Sequence, residues 1–316
     1  MNRRDVEVVG GVTTPFGVRP TTWTELAQEV GAALFRAVPA LRSEAVDSLF
    51  VGAAEPERFA FQSHAAPIVA EQMGLRPTRI LQRTELACAS GQSAIRSAYA
   101  AIAAGLSDVA VAVGLEKMNL PSMPEANTSM VCVMDRPWDG PGGLTAPPFF
   151  AMVAQRHMRE YGTTEEQLAA VSEKNHRFAN TNPSAQFYAK KFPRDKLKGL
   201  PLVAPPLRLG DCSSMTDGAA AVVLAAEDLV PQYTQSPVWI RGSGQYSDFH
   251  NLAHAGSLSE WPGLTQAAHE AFRSAGIGPR DLDFAEIHDC FSISEIVEYE
   301  ASVSYTHLTL PTILLV

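Results

Sequence analysis

The sequence predicts an α/β fold, a mostly parallel sheet covered by helices and built as two halves that repeat one another. Three observations lead there. From residue 6 to residue 113, apolar strand-like runs alternate with amphipathic helical runs, the pattern of strand–helix–strand units buried on both faces. Residues 217–224 hold a run of small residues, Gly218 to Ala221, followed by Val222-Val223-Leu224, which reads as a fully buried strand packed closely on both sides. The order strand, helix, strand at residues 6–12, 25–30 and 44–50 returns at 238–244, 264–272 and 281–287, as an internal duplication would produce. With 316 residues and 46% hydrophobic content, the chain can bury a large core.

Taken in order, residues 6–9 are a strand and Gly10-Gly11 a turn. Residues 22–37 are a helix with Leu26, Val30 and Leu34 on one face. A second strand covers 46–51. A helix over 66–73 stops at Gly74, with Pro67 tolerable only in its first turn. The stretch Thr84-Glu85-Leu86-Ala87-Cys88-Ala89-Ser90-Gly91 precedes a helix over 92–104, whose Ala94, Ile95, Ala98, Tyr99 and Ile102 share a face. Gly105 caps that helix and 108–113 is a buried strand. Residues 119–210 are richer in proline and polar residues and read as an inserted helical layer, with helices at 149–161 and 164–179, the second capped near Thr163-Thr164-Glu165-Glu166. After 217–224 the repeated elements follow. Then come His288-Asp289-Cys290-Phe291 and a helix over 293–301.

Composition excludes several classes. A net charge of −9 argues against a nucleic-acid binder, which would present a basic face. No apolar run reaches membrane-spanning length, and the start is no signal peptide. Cys88, Cys132, Cys212 and Cys290 are far apart and make no CxxC pair, so no zinc or other metal site is expected. Reduced thiols fit a cytoplasmic protein.

Two places read as chemistry. Cys88 sits among small residues at a helix N-terminus, where backbone N–H groups and the helix dipole stabilise a thiolate. A small buried cysteine is the alternative reading. His288, Asp289 and Cys290 lie together at a strand end, where α/β proteins place their sites; a solvated strand end with a satisfied histidine is the alternative.

These residues resemble a known family. Cys88-Ala89-Ser90-Gly91, Gly114-Leu115-Glu116-Lys117-Met118, the run from Asp211 to Ala220, and His288-Asp289-Cys290-Phe291 are similar, in this order, to motifs of the thiolase superfamily. The last motif resembles the branch of the thiolase domain of sterol carrier protein X. The resemblance covers about residues 6–302. It implies two duplicated α/β halves in αβαβα layers with an inserted helical loop domain. The divisions are then 1–119 plus 210–229 for the first half, 120–209 for the loop domain, and 230–302 for an incomplete second half.

It also implies roles: Cys88 as the nucleophile that takes an acyl group from coenzyme A, His288 in an oxyanion hole, and Cys290 as the acid/base that moves the α-proton. Cys212 and Cys132 are expected to be structural. Coenzyme A is then a substrate, with no covalently bound cofactor, and the assembly a homo-oligomer, dimer or tetramer. Two other readings remain: an aldolase-like relative acting on a CoA ester with a small partner protein, and a non-catalytic acyl-CoA-binding scaffold subunit. The family's Gly-His-Pro motif, which supplies a base for the nucleophile, is missing from the chain. Residues 303–316 resemble translated sequencing adaptor, so the chain is expected to leave the native sequence at about Ser302 and to be C-terminally truncated. The chain as written is expected to be inactive and poorly soluble.

Overall fold

The computed structural model describes residues 4–120, 128–248 and 250–302. The expectation for 303–316 lies outside the described residues. The chain forms two compact units: residues 1–129, 184–186 and 215–240 make the first, and 130–183, 187–214 and 241–316 the second.

The first unit is a six-stranded sheet in the order β3-β2-β4-β7-β1-β8. The strands are β1 (Val6–Thr13), β2 (Ser48–Gly52), β3 (Ile80–Thr84), β4 (Val109–Lys117), β7 (Asp217–Ala226) and β8 (Val238–Trp239). β2 runs parallel to β3 and β4, but β7 is antiparallel to both its neighbours, β4 and β1, and β8 is antiparallel to β1. The sheet is therefore mixed, where a mostly parallel one was expected. A strand buried on both faces has the same apolar pattern whichever way its neighbours run, so periodicity carries no information about direction.

Both faces are apolar for a readable reason. Val109, Val111 and Val113 of β4 point into one cluster, with α1 (Trp23–Ala37) and α3 (Ala65–Gln72). Ala110 and Ala112 point into the other, against Ala94, Ala98, Ala101 and Ile102 of α4 (Ser90–Ala103). Alanine on both the sheet and α4 lets that helix pack close. Leu26, Val30 and Leu34 of α1 are essentially fully buried, each contributing about 1.5–3 kcal/mol. Thr22 and Glu25 close a capping box at the α1 start. Asp217, fully buried at the start of β7, accepts from Lys117 Nζ (2.6 Å), Asn119 N (2.9 Å) and Arg19 N (3.0 Å), which ties that strand to the end of β4.

Two local expectations are corrected in this unit. Gly10-Gly11 is no turn: β1 continues to Thr13, with a bulge between Val8 and Gly10. A Cβ on Gly10 would run into Val38, and one on Gly11 would lie 2.9 Å from Val222 Cγ1. These glycines serve close packing. The edge strand β3 went unforeseen because Ile80-Leu81-Gln82-Arg83-Thr84 holds only two apolar residues and is half-exposed.

The second unit is mostly helical. The four-residue α2 (Pro56–Phe59) belongs to the first unit, so numbering continues here with α5 (Ala146–Tyr161), α6 (Glu165–Thr181), α7 (Arg194–Lys198), α8 (Pro262–Ala275) and α9 (Ser292–Ser302). A small hairpin, β5 (Leu202–Ala204) with β6 (Leu207–Arg208), completes it. The expected cap at the start of α6 is a capping box between Thr164 and Gln167. The core joins Ala151, Val153 and Ala154 of α5, Leu168 and Val171 of α6, and Phe291, Ile293, Ile296 and Val297 around the start of α9. Phe150 stacks on Phe291 with centroids 4.5 Å apart.

The strand expected at 281–287 is not formed. Leu282 is 37% and Phe284 75% exposed, and the backbone there has no ladder partner. Extended chain becomes a strand only when a neighbour takes its N–H and C=O groups. Of the repeated elements, the helix (α8) is present, and the first strand shrinks to the two residues of β8 at the edge of the first sheet.

Candidate active site

Cys88 lies in a one-turn 3-10 segment, Ala87–Ala89, between the end of β3 and the start of α4. Ala87 has φ = +45°, a left-handed conformation costly for a residue with a Cβ. The strain is held by a local network. Ala87 N donates to Glu85 Oε1 (2.5 Å), Leu86 N donates to Ser90 Oγ (2.9 Å), and Ser90 Oγ donates to the Ala87 carbonyl (2.7 Å). Thr84 Oγ1 donates to the Ser90 carbonyl (3.2 Å), which joins the strand end to the helix start. Gly52 on β2 makes the approach feasible: a Cβ there would collide with the Ser90 carbonyl and lie 2.8 Å from Gly91 N.

Cys88 is exposed. Protein atoms packed behind the sulfur nevertheless push its thiol above the ordinary value, opposed only by its own backbone N–H. The expected dipole-stabilised thiolate is therefore corrected to a resting thiol. The 3-10 turn places Cys88 outside the helix proper, and no cation contributes to its titration. A base or a higher pH must remove its proton.

Beyond the cysteine, the ends of β2 and β4 carry an acidic pair that sequence reading missed. Glu116 Oε2 accepts from Ala54 N (2.7 Å) and Glu55 N (3.4 Å), and burial raises its carboxyl. Burial likewise pushes Glu55 up to about 7, against the pull of Arg58. Glu116 belongs to the motif Gly114–Met118, which was the only available signal.

In the second unit the turn at His288–Cys290 is held from three sides. His288 N donates to Glu298 Oε2 (3.0 Å), Ser213 N donates to the Cys290 carbonyl (2.9 Å), and Cys212 bridges Phe291. Cys290 Sγ lies 3.3 Å from Ser294 Oγ. Asn175 Nδ2 on α6 donates both to Asp289 Oδ2 (2.6 Å) and to Glu295 Oε2 (2.7 Å). Glu295, 1% exposed, also pairs with Lys174 Nζ at 2.9 Å. Below the turn, buried Asp211 accepts from Ser172 Oγ (2.8 Å), Ser292 Oγ (2.9 Å) and Arg208 N (2.9 Å). Asn175 and Glu295 were not singled out from sequence, since nothing local distinguishes them from ordinary helix residues.

Desolvation lowers the His288 pKa, with Asp289 opposing, which favours the neutral ring. A neutral imidazole donates one N–H to a developing oxyanion without adding a proton to it. Cys212 packs in the apolar cluster, and burial, helped by Asp211, pushes its thiol up to about 11, as befits a structural residue. His288 and Cys290 thus share one braced turn of the second unit, and Cys88 has its own braced turn in the first. Among the described residues no group of three His, Cys, Asp or Glu side chains is placed to hold a metal ion, and no helix is long and apolar enough to cross a membrane.

Comparison with known proteins identifies the family. The family model described as "Thiolase, N-terminal domain" matches residues 6–196, and "Thiolase C-terminal domain-like" matches 244–306. The chain is 38% identical over 298 residues to the acetyl-CoA acetyltransferase of Methanothermobacter thermautotrophicus, covering 94% of this chain and 76% of the relative. It is 32% identical to sterol carrier protein 2 of Gallus gallus over 226 residues, 68% of this chain and 41% of that protein. Among solved structures, the Ltp2-ChsH2(DUF35) aldolase superposes with a TM-score of 0.81 at 22% identity, covering 95% of this chain and 77% of that one. Human mitochondrial 3-ketoacyl-CoA thiolase superposes with a TM-score of 0.73 at 20% identity, covering 96% and 84%. At those identities the superpositions speak for the fold alone.

Proposed function

The chain belongs to the thiolase family, and from that premise we propose that it is an acyl-CoA acyltransferase working through a thioester on Cys88. The observation that carries this reading is the strained, hydrogen-bonded turn that holds the exposed residue Cys88 between a strand end and a helix start.

In thiolysis, the deprotonated sulfur of Cys88 adds to the 3-keto carbonyl of a 3-ketoacyl-CoA. The bond between the α and β carbons breaks, and its electron pair leaves as the enolate of acetyl-CoA. The His288 N–H stabilises that enolate oxygen and Cys290 returns the proton to carbon. Coenzyme A thiolate then attacks the Cys88 thioester, releasing the shortened acyl-CoA and regenerating the cysteine. Sulfur-to-sulfur acyl exchange is nearly balanced, so the same groups run the condensation in reverse. Asn175 and Glu295 act as positioning residues for the His288–Cys290 turn.

The same reading takes residues 1–119 with 210–229 as the first thiolase half, 120–209 as the loop domain and 230–302 as part of the second half. It makes the protein a cytoplasmic homo-oligomer, dimer or tetramer, that uses coenzyme A as substrate and holds no covalent cofactor. Cys88 itself favours this chemistry over an aldolase reaction, which has no need of an acyl-accepting sulfur. The direct test is consumption of acetoacetyl-CoA in the presence of coenzyme A by a form of the enzyme with a complete second half, since the chain as written lacks the Gly-His-Pro motif. Turnover that disappears in Cys88→Ala supports the assignment. Cleavage of a β-hydroxyacyl-CoA with no action on the ketoacyl ester would replace it by the aldolase reading.

A further inference from the structure

The first turn of α9 carries a buried hydroxyl that the thiolysis steps leave unused. Ser294 is fully buried, and its Oγ lies 3.3 Å from Cys290 Sγ. Helix geometry explains the contact. Side chains on a helix lean toward its N-terminus, so residue 294 lies over residue 290 just before the helix. Ser294 N donates to the Phe291 carbonyl (2.9 Å), which fixes this first turn.

A helical serine ordinarily turns its hydroxyl onto the carbonyl four residues back. Here that carbonyl belongs to Cys290, and it already accepts from Ser213 N (2.9 Å), beside the bridge that pairs Cys212 with Phe291. The hydroxyl lies on the sulfur instead. Among the described residues, this is the only hydrogen-bond contact of the Ser294 hydroxyl. A buried hydroxyl without a partner is costly, so the side chain is held where it is. The neighbouring serines are engaged elsewhere: Ser172 Oγ and Ser292 Oγ both donate to Asp211.

Cys212 shows what the choice of partner does. Its Sγ donates to the Arg208 carbonyl (3.4 Å), and a carbonyl only accepts, so that contact serves the thiol form alone. A hydroxyl accepts from a thiol and donates to a thiolate. The Cys290 sulfur therefore keeps a partner in both of its protonation states, with no movement beyond rotation of one O–H bond. The titratable groups around the turn do not supply this. Asp289, Glu298 and Asp211 are acids, which disfavour a nearby thiolate, and Cys212 is turned to Arg208. Lys174 is paired with Glu295, and the His288 ring is assigned to the enolate oxygen.

We infer that Ser294 is a positioning residue for the acid/base: its hydroxyl holds the Cys290 sulfur on the turn and stabilises the thiolate left when the proton passes to the enolate carbon. In that step the S–H bond breaks and its electron pair stays on sulfur. The proton forms the new C–H bond of acetyl-CoA, and the Ser294 O–H rotates from accepting to donating. In the condensation direction the thiolate takes an α-proton and the hydroxyl accepts again. The inference rests on the acyltransferase reading for the role of Cys290.

The test compares Ser294→Ala with the unsubstituted protein, both in a form with a complete second half. Alanine removes the hydroxyl and is the better helix former, so the helix is kept. One measurement is the pH dependence of Cys290 alkylation by iodoacetamide, followed on its own peptide by mass spectrometry. The others are kcat for acetoacetyl-CoA thiolysis and acetyl labelling of Cys88. In Ser294→Ala the alkylation midpoint is expected to rise by about one pH unit and kcat to fall about tenfold, the scale of losing one hydrogen bond to a charged group. Labelling of Cys88 stays the same. A packing role alone would leave the alkylation midpoint where it is. An unchanged midpoint therefore overturns the inference, and loss of turnover in Cys290→Ala then leaves the acyltransferase reading intact. A raised midpoint in an enzyme whose Cys290→Ala variant keeps full turnover upholds the hydroxyl–sulfur contact while the acid/base reading of Cys290 fails.

Discussion

Cys88 shows how far a single residue can be read from sequence. Its place between small residues and just before a helix was legible from the pattern Ala87–Gly91. Its protonation was not, because the dipole argument assumes a first-turn position. The 3-10 turn and the packing behind the sulfur lift the thiol instead. The sign has a consequence for reactivity. A thiol raised above its ordinary value is mostly protonated at neutral pH, and the thiolate alone attacks electrophiles. Alkylation of Cys88 by iodoacetamide, followed by peptide mass spectrometry, is expected to accelerate steadily as pH rises through 9. A rate already flat below pH 8 would contradict the environment described for this sulfur. His288 was singled out as a candidate from its neighbours Asp289 and Cys290. The bond from His288 N to Glu298 joins residues ten apart in sequence, and no pattern at that spacing announces it.

At the scale of elements, helices were easier to read than strands. The helices α1, α3, α4 and α6 follow from 3.6-residue periodicity plus capping boxes or left-handed glycines such as Gly74 and Gly105. Strands need a partner, and sequence says nothing about the partner. That is why β3 was missed, why β1 was cut short at Gly10, and why a strand was expected at 281–287 where the chain stays unpaired. The glycines carry the packing information. Gly52 admits the start of α4, and its missing Cβ is opposed by backbone atoms of Ser90 and Gly91, which cannot swing aside as a flexible side chain does. Gly52→Ala is expected to cost about 1–3 kcal/mol, as overpacking does, and to slow acylation of Cys88. Gly91→Ala, with open space around its Cβ position, is expected to keep the stability or raise it, since alanine is favoured over glycine in a helix by about 1 kcal/mol. Equal melting temperatures for the two variants, measured by calorimetry, would show that the close approach at Gly52 does not matter.

For the whole molecule, the α/β class and the family were legible because four motifs occur in order along the chain, whereas the mixed sheet direction and the buried acids depend on contacts between distant segments. Those acids set a pH dependence. Burial raises Glu55 and Glu298 from an ordinary 4.5 to about 7. Each therefore favours the folded state fully below about pH 4.5, and this contribution is lost as pH rises through about 7. His288, whose pKa burial lowers, acts in the opposite direction. The double substitution Glu55→Gln/Glu298→Gln isolates the carboxyl share. Between pH 5 and pH 8, the melting temperature of the unsubstituted protein is expected to fall relative to that of the double variant. Parallel curves would contradict the burial of these carboxyls.

The central claim is that Cys88 carries the acyl group, and the most direct measurement traps it there. A form of the enzyme with a complete second half is incubated with acetyl-CoA, quenched in acid and digested, and the acetylated peptide is located by mass spectrometry. The acetyl group is expected on the peptide containing Cys88, retained in His288→Ala and absent from Cys88→Ala. An adduct confined to Cys132, Cys212 or Cys290, or an active enzyme with no adduct at all, would contradict the account.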